Sequence, residues 1–126
     1  MPERRVVTEH APAPAGPYSQ ARIHGDLLFL AGQGPFDTEG TLAGPDIESQ
    51  TRQVLTNLEA VCAAAGTSLV HAVRVGVFLK TMDDFDGMNS VYASYFEEPF
   101  PARTTVQSDL RGMLVEIDAV VSLGTV

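Results

Sequence analysis

Residues 46–66 read DIESQTRQVLTNLEAVCAAAG, and their spacing predicts a long amphipathic helix. Ile47, Thr51, Val54, Leu55, Leu58, Val61 and Cys62 recur every three or four positions, which gathers them on one side of a 3.6-residue helix. Asp46 stands just before this run as an N-cap, where a carboxylate can accept from an unpaired amide of the first turn. Gly66 follows the run, where a chain leaving a helix often needs a left-handed residue. A stripe of this kind must be buried against another element. The next segment, Ala72 to Leu79, is rich in Val and Phe and predicts a strand to receive it.

Downstream, Thr81 with Asp84 resembles a capping box, and Phe85, Met88, Tyr92, Tyr95 and Phe96 mark a second amphipathic helix. Pro99 and Pro101 stop it. Arg103 to Gln107 and Leu114 to Leu123 read as the last strands. Upstream, Ala21 to His24 and Leu27 to Ala31 flank Gly25-Asp26 as a hairpin, ended by Gly32, Gly34 and Pro35. Residues 1–17, with four prolines, read as an extended, irregular arm.

The order β-β-α-β-α-β-β predicts an α+β domain spanning residues 1–126, a mixed β-sheet with both helices packed on one face. The last strand shows what the other face holds. Val115, Ile117, Ala119 and Val121 share the side that suits the helices. Leu114, Glu116, Asp118 and Val120 share a side mixing acids with apolar residues, as expected at a cleft or at an interface with another subunit.

Composition narrows the function. Sixteen acidic residues against eight basic ones give a net charge of -8, which repels nucleic acid and anionic lipid. No secretory leader and no membrane-length apolar run is expected. With Cys62 alone no internal disulfide forms, and a reducing, cytoplasmic setting is expected. Cys62 sits on the apolar helix face and reads as structural rather than nucleophilic. His10, His24 and His71 are scattered, so no metal site is expected. Gly32-Gln33-Gly34 lacks a dinucleotide-binding frame. Asp83, Asp84 and Asp86 suit a helix N-terminus.

Polar residues at strand ends remain as candidates for chemistry: Tyr18, Gly32, Asn89, Arg103, Thr105 and Glu116. On spacing alone, Arg103 and Glu116 are better explained by a salt bridge between neighbouring strands than by a site.

Taken together, Gly-Pro-Tyr-Ser-Gln at 16–20, Gly-Gln at 32–33, Gln-Thr-Arg-Gln-Val-Leu at 50–55 and Asn-Leu-Glu-Ala-Val at 57–61 resemble the RidA/YjgF family. So do Val77-Phe78-Leu79, Met88 to Tyr92, Phe100-Pro101-Ala102-Arg103 and Val115-Glu116-Ile117, in order from about residue 10 to residue 121. The resemblance implies a chorismate-mutase-like fold, a homotrimer with clefts between subunits, and an activity without cofactor. That activity is hydrolysis of reactive enamines and imines, of the 2-aminoacrylate and 2-iminobutanoate type, to 2-keto acids and ammonia. It implies Arg103 as the carboxylate anchor, with Asn89, Thr105 and Gly32 also on the substrate side, and Glu116 and Tyr18 as the catalytic pair. Two positions depart from the family pattern. Thr105 stands where many deaminating members have Cys, and Ala31 where many have Ser or Thr. The segment from Ser108 to Met113 also looks shorter than usual. The alternative is a non-catalytic binder of small carboxylates such as 2-keto acids. Ribonuclease activity, a label some relatives carry, sits poorly with the acidic charge.

Overall fold

The computed structural model describes residues 4–124. Asp46 caps helix α1 (Ile47–Ala64), its side chain accepting from the Ser49 amide at 2.9 Å. The chain leaves through Ala65 and Gly66, the latter at φ 84°, where a Cβ would be strained. Val54, Leu55, Leu58, Val61 and Cys62 are fully buried, as the spacing requires. Each buried Leu or Val contributes roughly 1.5–3 kcal/mol of transfer free energy.

Six strands form one mixed sheet: β1 (Arg5–Val6), β2 (Ala21–His24), β3 (Leu27–Gln33), β4 (Ala72–Leu79), β5 (Ala102–Gln107) and β6 (Val115–Ser122). Their spatial order is β1-β2-β3-β6-β4-β5. Only β4 and β5 run parallel, which requires a crossover, and helix α2 (Phe85–Tyr95) provides it. Val75, Val77 and Leu79 of β4 and Val115, Ile117, Ala119 and Val121 of β6 are buried beneath the helices. The opposite sheet face holds Phe29 and Val106, both substantially exposed, with half-buried Phe78 and Val120.

Three expectations need correction. The arm is not wholly irregular: Arg5 and Val6 pair with Arg22 and Ala21 to add an edge strand, and residues 1–3 lie outside the described part. The second hairpin strand runs on through Gly32 to Gln33, because a bulge absorbs the glycine. Thr81 does not build a capping box on α2. Its hydroxyl accepts from the Asp83 amide at 3.2 Å and caps a 3₁₀ turn, Met82–Asp84, while Asp84 makes no side-chain cap. Burial, then the charges of Asp83 and Glu48, hold the Asp84 carboxyl above its ordinary value.

Candidate functional site

Arg103 opens β5 directly opposite Val75 of β4, and Thr105 lies opposite Val77. Paired residues share a sheet face, so both point toward the helices. There Arg103 meets α2. Its Nη1 donates to Asn89 Oδ1 at 2.8 Å. Its guanidinium carbon lies 4.6 Å from the Tyr92 ring centroid and 5.6 Å from that of Phe85. Ring faces and an amide thus hold the cation, an attractive geometry that leaves its charge uncancelled. Among the described residues no carboxylate hydrogen-bonds to it. A pocket of about 270 Å³ opens beside it, lined by Asn89, Tyr92, Ala93, Phe100, Pro101 and Arg103. Burial raises the Tyr92 phenol, and the Arg103 charge works against that shift. On the same sheet face, the Tyr92 hydroxyl in the pocket and Thr105 Oγ1 outside its lining are buried without a hydrogen-bond partner among the described residues.

Glu116 occupies a second pocket, of about 190 Å³. From Leu30 to Gln33, β3 takes three steps where β6 takes two, from Ala119 to Ile117. The extra residue brings Gly32 under the Glu116 side chain. A Cβ on Gly32 would fall 2.5 Å from Glu116 Oε2, so a side chain there would push the carboxylate out of its place. Gly76 of β4 stands in the same relation to Asp118. Burial first, and the Asp118 charge second, push the Glu116 carboxyl above 4.5. Tyr18, Gly34, Phe36 and Met113 close the pocket. The Tyr18 hydroxyl accepts from the Ala15 amide at 3.1 Å, which leaves its own proton to donate.

The two pockets lie on different sides of the sheet. Glu116 stands opposite Phe78, on the face away from the helices, whereas Arg103 stands on the helix face. Strand β4 lies between β5 and β6. The expected salt bridge between neighbouring strands is therefore absent. Arg103, Asn89 and Thr105 gather in one half, and Tyr18, Gly32 and Glu116 in the other. Phe85 and Tyr92, which grip Arg103, are among the apolar positions that mark α2 in the sequence, and Tyr92 is buried in the core as well. Their spacing with Asn89, four and then three residues along α2, was the signal that places all three on one face.

Cys62 is fully buried, and burial pushes its thiol to about 12, an inert state. Among the described residues, no three His, Cys, Asp or Glu side chains are grouped to hold a metal. Among them, too, no helix is long and apolar enough to cross a membrane.

The family model described as Endoribonuclease L-PSP matches residues 8–123. A RutC family protein of Pyrococcus horikoshii is 49% identical over 118 residues, covering 91% of this chain and 94% of that protein. The 2-iminobutanoate/2-iminopropanoate deaminase of Dermatophagoides farinae is 38% identical over 124 residues, covering 95% and 96%. Among solved structures, RidA from the Antarctic bacterium Psychrobacter sp. superposes with a TM-score of 0.90 at 36% identity, over 95% of this chain and 99% of that one. Sequence and architecture agree over nearly the whole length: the chain belongs to the RidA/YjgF family, whose model carries the endoribonuclease description, and has its chorismate-mutase-like α+β fold.

Proposed function

We propose that this protein hydrolyses short 2-imino acids, and the enamines that tautomerise to them, to 2-keto acids and ammonia. The observation that carries the reading is Arg103: an uncancelled cation, fixed by Asn89, Tyr92 and Phe85 at the mouth of a small pocket. A planar guanidinium so held suits a carboxylate, which it can bind through two parallel bonds. The deaminase among the relatives acts on molecules with that group, by its name.

The opposite placement of Arg103 and Glu116 supports a site shared between copies, with a homotrimer as the assembly. Arg103, Asn89 and Thr105 of one protomer hold the carboxylate. Glu116 and Tyr18 of its neighbour face the imine carbon, and Gly32 leaves room for the acid. Water adds to the C=N carbon, its oxygen forming the new bond while Glu116 takes one of its protons and passes it to the imine nitrogen, which gives a neutral carbinolamine. Glu116 then takes the carbinolamine's hydroxyl proton and delivers it to the amino nitrogen, so that the C–N bond breaks as the C=O forms and ammonia leaves. A carboxyl raised by burial is suited to both transfers, because its proton affinity lies nearer neutrality. The reaction consumes only water.

The test generates 2-iminobutanoate in situ with a threonine dehydratase and follows 2-oxobutanoate release against a semicarbazide trap. Wild type is expected to outcompete the trap, and Arg103→Ala is not. Equal rates for both proteins and a blank overturn the reading. A second reading, a non-catalytic binder of 2-keto acids, draws on Thr105 and Ala31, which withhold the thiol and hydroxyl of many deaminating members. Keto-acid binding through Arg103 without turnover would establish it. The net charge of -8 argues against the ribonuclease activity in the family's description.

A further inference from the structure

The pocket around Glu116 is walled on two sides by loops rather than by sheet. One wall is Gly34 and Phe36, just past the end of β3. Another is Met113, in the segment entering β6. The first loop holds itself together mainly through a bridge between Phe36 and Leu42 and a turn around Asp37. The second is tied by Lys80, whose Nζ donates to the Leu110 carbonyl at 2.7 Å.

Two side chains of α1 add ties of their own to both loops. Asn57 Nδ2 donates to the Gly34 carbonyl at 3.1 Å and to the Phe36 carbonyl at 2.8 Å, while its Oδ1 accepts from Gln53 at 2.9 Å. Gln50 Nε2 donates to the Gly44 carbonyl at 2.7 Å, and its Oε1 accepts from the Leu114 amide at 2.8 Å. Each residue is 2% exposed, and neither lines the pocket. Residues seven apart fall on the same side of a helix, so both project from one line of α1. Burial alone would be served by leucine at either position. A primary amide instead offers donor and acceptor together: Gln50 spends both on loop backbone, and Asn57 spends its donor there while Gln53 holds its acceptor.

We propose that Gln50 and Asn57 are positioning residues: from one face of α1 they hold two loops that, with the arm at residues 12–18, wall the Glu116 pocket, without touching the ligand. The inference rests on the proposed function only in treating Glu116 as the reacting acid. Removing either tie lets a loop draw away and lowers the burial of the carboxyl, which is partial in the intact fold. The titratable groups facing Glu116 are Asp118 on its own strand and Tyr18 from the arm; β3 brings it Gly32 and Gln33, and β4 the ring of Phe78. None of these changes in the variants below.

The experiment follows the Glu116 carboxyl by ¹³C NMR across pH in the full chain, for wild type, Asn57→Ala, Gln50→Ala and the volume-keeping Gln50→Met. Leu58→Ala, another fully buried α1 position, controls for lost stability. In the amide variants Glu116 is expected to titrate lower than in wild type, toward its ordinary value, because burial is the larger cause of its rise. In Leu58→Ala it stays at the wild-type value. In the imine assay the amide variants lose kcat about tenfold, with a smaller change in KM. Unchanged Glu116 titration in Gln50→Met and Asn57→Ala, with only a lowered melting temperature, overturns the proposal. A shifted titration in a protein that hydrolyses no imine leaves the positioning role standing and removes the proposed function instead.

Discussion

Arg103 and Glu116 point to opposite faces of one sheet, on strands separated by β4. One chain therefore cannot bring both to the same small ligand. Arg103→Ala and Glu116→Gln proteins should each be inactive alone, yet recover activity when subunits are exchanged by co-refolding. In a random equimolar mixture of trimers with heterologous interfaces, about one quarter of the sites are wild type. Activity near that fraction is the expected outcome. None at all would place both groups within a single chain's site.

Arg103→Lys tests the shape of the cation rather than its sign. Lysine keeps the charge but loses the planar fork and its stacking on Tyr92 and Phe85. KM for the imino acid should rise about tenfold or more, equivalent to roughly 1.4 kcal/mol. Asn89→Ala frees the guanidinium to swing and should raise KM less. Steady-state kinetics on both proteins checks the order.

The first helix, the fourth strand and the alternation along β6 were legible because each carries its own local signal: the Asp46 cap, the apolar spacing and a period of two. The open sheet face followed from Glu116 and Asp118 on one side of β6. What escaped was set by pairing at a distance. Arg5 and Val6 become a strand only because β2 lies beside them. Nothing near Arg103 in the chain says that Val75 will be its neighbour, or that β4 will separate it from β6. The candidate residues were named from the resemblance, whereas their division between two faces depends on strand order.

Glu116 carries a pH dependence of definite sign. Its folded value lies above 4.5, so the folded state binds the proton more tightly than the unfolded chain. The stability this contributes is full below the unfolded value and is lost as pH rises through the folded one. Glu116→Gln should flatten that part of the stability profile. Where activity needs the ionised acid, its acid limb follows the raised value. Asp118→Asn removes the second cause and should move the limb to lower pH, though not fully, since burial is the larger cause. Melting curves and kcat/KM measured across pH test both parts.

Gly32→Ala places a methyl group against Glu116 Oε2. The carboxyl must turn away, and activity should fall at least about tenfold while the fold survives, with an overpacking cost of roughly 1–3 kcal/mol. Thermal melting beside the imine assay separates the two effects. Full activity would show that the carboxyl need not lie over the glycine.

Cys62 should be silent to a thiol reagent in the folded protein and react once per chain after denaturation. Rapid native labelling would contradict its burial within the helix–sheet core.

The bulge between Leu30 and Gln33 shows where regularity and use part company. Deleting one residue there would let every position of β3 find a partner on β6, and by the usual criteria of strand pairing the sheet would improve. It would also straighten the detour that carries a bare backbone beneath Glu116. A designer optimising this chain for ideal geometry would correct the irregularity first and erase the seat of the acid. The extra residue in β3 is thus a concession the scaffold makes, and a screen for stabilised variants should leave that step of the strand alone.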